Sequence, residues 1–216
     1  MRSLIVLVLC LLTALPPAVG AETWRDCPDC PDVVRLPGFA LGRTEVTVGQ
    51  YGACVAAAAC PPHQPRWAEA DMPMTDLPVL DAETYLAWLS ARTGKRYRLP
   101  DEAEWEQAAR AGTATAFPWG EAMEAGRAVC QGCDPRFNRR PAPVATMAAN
   151  PWGLYDMNGN VWEWTRDCWN SDCSRRVMRG GSWYFVPRQS RSDARAPQDG
   201  RVGGYDVGFR VLRELP

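Results

Sequence analysis

Apolar residues recur at helical spacing in three places in the first half of the chain. Val48, Tyr51 and Val55 share one face of a segment opened by Thr47 and Gln50, whose spacing forms a capping box, so a helix is predicted from there through Val55. Ala82, Tyr85, Leu86 and Leu89 repeat the pattern behind Asp81 as N-cap, with Gly94 placed to end the helix. A third helix is boxed by Asp101 and Glu104, buries Trp105, Ala108 and Ala109, and stops at Gly112. Tyr97 to Leu99 before it reads as a short strand. Beyond Gly112 the helical period is lost, because Gly, Pro, Asn and Asp recur every few residues. Only Val177 to Met178 and Phe209 to Leu212 read as strands there. The second half is expected to be mostly loop, held by cross-links, tryptophans and metal rather than by a hydrogen-bonded ladder.

At the N-terminus the hydropathy pattern has a different meaning. Arg2, an apolar run from Leu4 to Leu12, and small residues at Ala18, Gly20 and Ala21 form the three parts of a secretory signal peptide. The run is shorter than the ~20 residues a membrane span needs, and Pro16 and Pro17 close it. Leu9 stands where a small residue would precede a lipidated Cys10. The expected organisation is a leader over 1–21 and one domain over 22–216, periplasmic or secreted, with no membrane span. About 195 residues is an ordinary size for one domain.

Charge and inventory then narrow the chemistry. Lys and Arg number 24 against 25 Asp and Glu, with no basic run, which excludes a nucleic-acid partner. His63 and Lys95 are the sole histidine and lysine, too few for a multi-histidine metal site. Of nine cysteines, Cys10 lies in the leader, and the other eight fall into four close pairs. Local pairing would join Cys27 to Cys30, Cys54 to Cys60, Cys130 to Cys133 and Cys168 to Cys173, as suits an exported chain. Two alternatives use the C-x-x-C units: a four-thiolate zinc site from Cys27, Cys30, Cys130 and Cys133, or a redox-active pair.

The densest chemistry lies in GLYDMNGNVWEWTRDCW, from Gly153 to Trp169. Asp156, Asn158, Asn160 and Glu163 offer hard oxygen donors, Gly159 permits a tight turn, and Trp162, Trp164 and Trp169 supply apolar walls. With TEVTVGQY at Thr44, YRLPDEAEWEQAARAG at Tyr97, FPWG at Phe117, RGGSW at Arg179 and GFRV at Gly208, it resembles the sulfatase-modifying-factor family, founded on formylglycine-generating enzymes. The resemblance runs from Cys27 to Leu212. It implies a C-type-lectin-like α+β fold with little regular secondary structure, here stapled by disulfides. It also implies a structural calcium ion held by the side chains of Asp156 and Glu163 and the carbonyls of Gly159 and Val161, a donor set that calcium accepts. The alternative is an ordinary N-G turn, with Asp156 bound to nearby amides and Glu163 paired to an arginine. The family's second calcium site falls where this chain has CQGCDPRFN.

In the family's enzymes two cysteines after RGGS bind copper(I) and oxidise a substrate cysteine. Phe185 and Ser190 stand at those positions, and no cysteine follows Cys173, so copper is not expected. Ser182 without an adjacent base reads as a turn hydroxyl. Arg191 and Arg195 are groove candidates, either as a clamp for a carboxylate or as members of an ion-pair network with Asp193. Trp183, beside the glycines, is the tryptophan expected to line a groove. Two functional readings follow. One is an accessory module presenting the groove to a peptide, protein or small molecule, which the missing cysteines favour. The other is a non-classical oxidoreductase, since relatives without the pair act in periplasmic siderophore maturation and others perform iron-dependent sulfoxide chemistry, although His63 alone cannot supply an iron site. Fold alone does not choose between them.

Overall fold

The computed structural model describes residues 22–216; the expected leader and its cleavage site lie outside the described residues. In chain order the elements are β1 (Thr23–Trp24), β2 (Val33–Leu36), β3 (Phe39–Gly42), α1 (Val48–Ala56), α2 (Val79–Thr93), β4 (Tyr97–Arg98), α3 (Glu102–Arg110), β5 (Trp162–Trp169), β6 (Asp172–Arg179), β7 (Arg195–Asp199), β8 (Val207–Gly208) and β9 (Leu212–Glu214). They form two sheets with strand orders β1-β2-β3-β9-β4 and β7-β6-β5-β8. The second sheet is antiparallel except for β8, which runs parallel to β5.

Both faces of the first sheet are covered, and the side-chain alternation shows how. Val33, Ala40 and Val211 point to one core with Tyr51 of α1 and Tyr85 and Leu89 of α2. Their neighbours Val34, Leu41 and Leu212 point to a second core with Trp105 and Ala108 of α3. Successive side chains of a strand face opposite ways, so the stretches covered on both faces, Val33 with Val34 and Phe39 to Leu41, are apolar at consecutive positions. The last strand completes this sheet between β3 and β4, with Leu41 opposite Leu212 and Arg98 also opposite Leu212.

Helix caps follow the sequence closely, with one exception. Thr47 and Gln50 form the capping box of α1, and Asp101 and Glu104 that of α3. Gly94 ends α2 with φ 66°, while α3 ends on Ala111 at φ 47°, one residue before Gly112. The exception is the start of α2, which begins at Val79 behind Pro78, so Asp81 sits inside its first turn instead of capping it. There its carboxylate meets His63 Nε2 at 2.8 Å. Pro78 supplies an extended lead-in that fits the entry to a helix without any side-chain cap.

The second half is less irregular than its composition suggests. β5 and β6 are eight residues each and form a hairpin whose two turn residues, Asn170 and Ser171, both have positive φ. Trp162 to Thr165 are buried without alternation, so the strand has no two-residue period to betray it. Phe209 to Val211, expected as strand, instead carry the chain from the second sheet to the first, with Phe209 and Val211 carbonyls accepting from Val46 and Gly42. The four disulfides are the local ones, Cys27–Cys30, Cys54–Cys60, Cys130–Cys133 and Cys168–Cys173. That pairing uses all the thiols of the zinc alternative. Such bonds fit an oxidising compartment. Among the described residues no helix is long and apolar enough to cross a membrane.

Thr47 Oγ accepts from the Gln50 amide at 3.2 Å, and Gln50 returns a bond to the Thr47 amide. Thr47→Ala is expected to lower the unfolding free energy by about 1 kcal/mol, read as a lower urea midpoint, while Thr47→Asn stays near the parent.

Candidate functional site

The loop that joins the two cores is built on backbone geometry open to few residues. Asp156, Gly159 and Asn160 all have positive φ, and a Cβ on Gly159 would lie 2.5 Å from the Val129 carbonyl oxygen. Gly159 and Asn160 amides donate to the carbonyls of Gly180 and Val129, and the Asn160 carbonyl accepts from Trp183. The Asn160 side chain accepts from the Ala142 amide at 3.0 Å and donates to Glu45 Oε1 at 3.0 Å. Asn158 donates to the Ser190 carbonyl at 2.8 Å. These asparagines and Gly159 therefore tie the distant segments at 129, 142, 180 and 190 to one loop.

Beneath the loop lies a buried charge cluster. Arg210 donates to both oxygens of Glu163 at 2.7–3.2 Å, and Trp105 Nε1 adds a bond to Oε2 at 2.7 Å. Both partners of the pair are wholly inaccessible. Asp156 Oδ2 accepts from the Ala145 amide at 2.7 Å. Glu45 is also fully buried, and among the described residues its Oε2 meets no N–H or hydroxyl donor, its neighbour there being the Asp156 carboxyl. Burial, with the Arg210 charge opposing and the Glu163 charge adding, pushes Asp156 up to about 6. Burial and the neighbouring Asp156 push Glu45 well above the usual carboxylate range. Three acids facing one guanidinium leave an excess of negative charge that a proton or a divalent cation would offset. Among the described residues no three His, Cys, Asp or Glu side chains stand close enough to hold a metal ion by themselves. A cation here would have to lean on backbone oxygens.

The segment after RGGSW forms the groove. Gly181 has φ 76°, and a Cβ there would meet the Gln189 carbonyl oxygen at 2.5 Å and Ser190 Oγ at 2.6 Å, so the chain folds back tightly on itself. Arg179, just before, donates to Glu102 and Glu106 of α3 at 2.9 and 2.6 Å and locks β6 to that helix. The returning segment stands over the second sheet. One basin, about 560 Å³, is floored by Trp162, Met178, Ala196 and Val207, one from each strand. Phe185, Arg188 and Gln189 border it and also border a second basin of about 780 Å³.

The residues singled out from the sequence separate into groove and support. Phe185 is half-buried between the basins, packed edge-on against Trp162 and Tyr184. Ser190 is completely buried behind Gly181, and its hydroxyl has no partner. Trp183 lines the second basin although only 4% of it is exposed, and it packs edge-on against Trp67. Arg191 and Arg195 reach the first basin, but each is already held. Arg191 forms a double bond pair with Asp193 at 2.8 and 2.9 Å, and Arg195 with Glu102 at 2.6 and 2.8 Å. Ser182 is not an isolated turn hydroxyl: it donates to Asp206 Oδ2 at 2.7 Å, and burial raises that carboxyl above its ordinary range. Asp206 lines the first basin, whereas Ser182 is fully buried. Sequence reading missed Asp206, and also Arg66, Arg139 and Arg188 of the second basin, since nothing local distinguishes them from surface charges.

Two small sheets joined by a braced loop, with a groove behind RGGSW, define an α+β domain of the formylglycine-generating-enzyme fold. Residues 18–215 match the model of the sulfatase-modifying factor enzyme 1-like domain, and the chain belongs to that family. "Inactive C-alpha-formylglycine-generating enzyme 2" of Bos taurus is 39% identical over 156 residues, 65% of this chain and 50% of that protein. The formylglycine-generating enzyme of Thermomonospora curvata is also 39% identical, over 132 residues, 56% of this chain and 38% of that protein. The structure of PvdO from Pseudomonas aeruginosa superposes with a TM-score of 0.80 at 30% identity, covering 91% of this chain and 99% of that one. The chain thus spans half or less of these two curated relatives and nearly all of PvdO. An enzyme and an inactive relative match equally well, so identity does not select an activity.

Arg210→Met leaves Glu163 buried without its counter-charge and is expected to cost about 3–5 kcal/mol of stability. In denaturant melts, adding Glu163→Gln should recover a large part of that loss; a double variant no more stable than Arg210→Met would refute the pairing as the cause.

Proposed function

We propose that this chain is an exported accessory module that presents the family's groove to a ligand or partner without the family's copper chemistry. One observation carries the reading. At the two positions where the resemblance places copper-binding cysteines, Phe185 forms an aromatic divider of the groove and Ser190 is buried out of reach of it. Neither offers the soft thiolate that copper(I) selects. All eight cysteines after the leader are taken up in four local disulfides. A non-classical oxidoreductase is the second reading, and it rests on Asp206, a groove-lining carboxyl whose raised pKa suits it to hold a proton.

Calcium belongs to the same proposal as a brace and not as a reactant. Asp156 and Glu163, with the carbonyls of Gly159 and Val161, would hold it, and the Glu45 oxygen without an N–H or hydroxyl donor among the described residues and the excess negative charge favour a divalent cation. Arg210 already occupies Glu163, so an ion there shares that carboxylate with the guanidinium.

The protein purified from an oxidising compartment is expected to show no free thiol with Ellman's reagent and no bound copper or iron by elemental analysis. Stoichiometric copper or iron, or a reducible pair reacting with substrate thiols, would sink the module reading. Calcium has its own measurement. Asp156 has a folded pKa above its unfolded value near 4, so its stabilising proton is in place below that value and is lost as pH rises through about 6. In EDTA the Tm is therefore expected to fall between about pH 4 and 6 more steeply than in Asp156→Asn. Added calcium should restore Tm at pH 7 and do little at pH 5. Equal melting with EDTA and with calcium at pH 7 would retire the ion.

A further inference from the structure

The two basins on either side of Phe185 differ in charge. Around the first, Arg191 and Arg195 are paired with Asp193 and Glu102, and Asp206 lines it together with Arg188, which borders both basins. Around the second stand Arg66, Arg139 and Arg188, and no Asp or Glu lines it. Among the described residues none of these three guanidinium groups is in an ion pair. Arg66 is held over the rings of Trp67 and Tyr205, which fixes its direction without cancelling its charge. Three unpaired cations gathered in one basin of a chain with net charge −1 are a local positive field, and such a field in a concave site concentrates anions.

The wall of the same basin is aromatic. Tyr184 is 54% exposed, and its ring packs edge-on against Trp183, Phe185 and Tyr205. Trp183 also has a buried indole N–H that meets no acceptor among the described residues. A planar ring lying on the exposed face of Tyr184 would have Phe185 at its edge, in a basin that Arg139 and Arg188 also line. The basin's volume of about 780 Å³ falls in the range of small-molecule sites.

We infer that the basin between Phe185 and Arg66 binds a small aromatic anion, with Arg139 and Arg188 taking the acid group and Tyr184 and Phe185 the ring. This rests on the binding-module reading and names its ligand class. Carboxylate and phosphate share the chemistry, since guanidinium forks hold either through paired hydrogen bonds.

The test uses the mature protein and 8-anilinonaphthalene-1-sulfonate as a fluorescent probe, displaced by 2-naphthoate, 2-naphthyl phosphate or the neutral methyl 2-naphthoate. Saturable one-site binding is expected, displaced by an acid at roughly 10- to 100-fold lower concentration than by the ester, as charged hydrogen bonds warrant. The ratio of the two acids tells carboxylate from phosphate ligands. Arg139→Gln with Arg188→Gln should weaken acid binding by a similar factor and leave the ester unchanged, whereas Tyr184→Ala weakens both. Matching thermal melts show that the variants are folded. Acid and ester displacing equally, the double variant binding like the parent, or no saturable binding would overturn the inference. Such a failure in a protein free of copper and of reactive thiols removes this ligand class alone; bound copper removes the module reading itself.

Discussion

Arg210 and Glu163 are both sealed from solvent, and the contacts of this pair join the two sheets, α3 and the connecting loop. Arg210 donates to the carbonyls of Gly42 at the end of β3 and of Tyr155 in the connecting loop, while Glu163 in β5 also holds the indole of Trp105 in α3. A buried ion pair of this kind is a weak source of net stability but a strong constraint on geometry, because any other arrangement strands a charge in a medium that cannot solvate it. The two sheets, α3 and the loop must therefore meet in one register. Asn160 and Gly159 extend that constraint outward to the segments at 129, 142 and 180.

The groove inherits its shape from this locked interior. RGGSW leaves the end of β6, which Arg179 pins to α3, and the crowding at Gly181 forces the chain back over the face of the second sheet. Phe185 then divides a space the rest of the fold has already defined. Family motifs and groove thus come from one set of residues, with Phe185 half-buried on the returning segment and Ser190 sealed behind Gly181. An aromatic ring at one and a buried hydroxyl at the other leave no thiolate on the returning segment.

Much of the fold was legible in order along the chain. Capping boxes at Thr47 and Asp101 mark α1 and α3 because the bonds that end a helix are made within four residues. Neighbouring cysteines paired locally for a similar reason, the short loops between them keeping the thiols within bonding reach. The β5–β6 hairpin was hidden, since Trp162 to Thr165 are covered on both faces and show no alternation. Asp81 looked like a cap only because the extended Pro78 ahead of it carries no side-chain signal of its own.

The candidate site was legible in its members and not in their states. The sequence alone determined the family motifs, the absence of a thiol after Cys173, and the local elements, all of which depend on residues close together in the chain. Only the tertiary structure decided which charges are spent. Glu163 meets Arg210 47 residues away, and Arg195, open between a clamp and an ion pair in the sequence, meets Glu102 93 residues away. Arg66, Arg139 and Arg188, which look ordinary in the sequence, line the second basin and among the described residues enter no ion pair. Whether a charge is satisfied is a property of distance in space, and composition and spacing do not contain it.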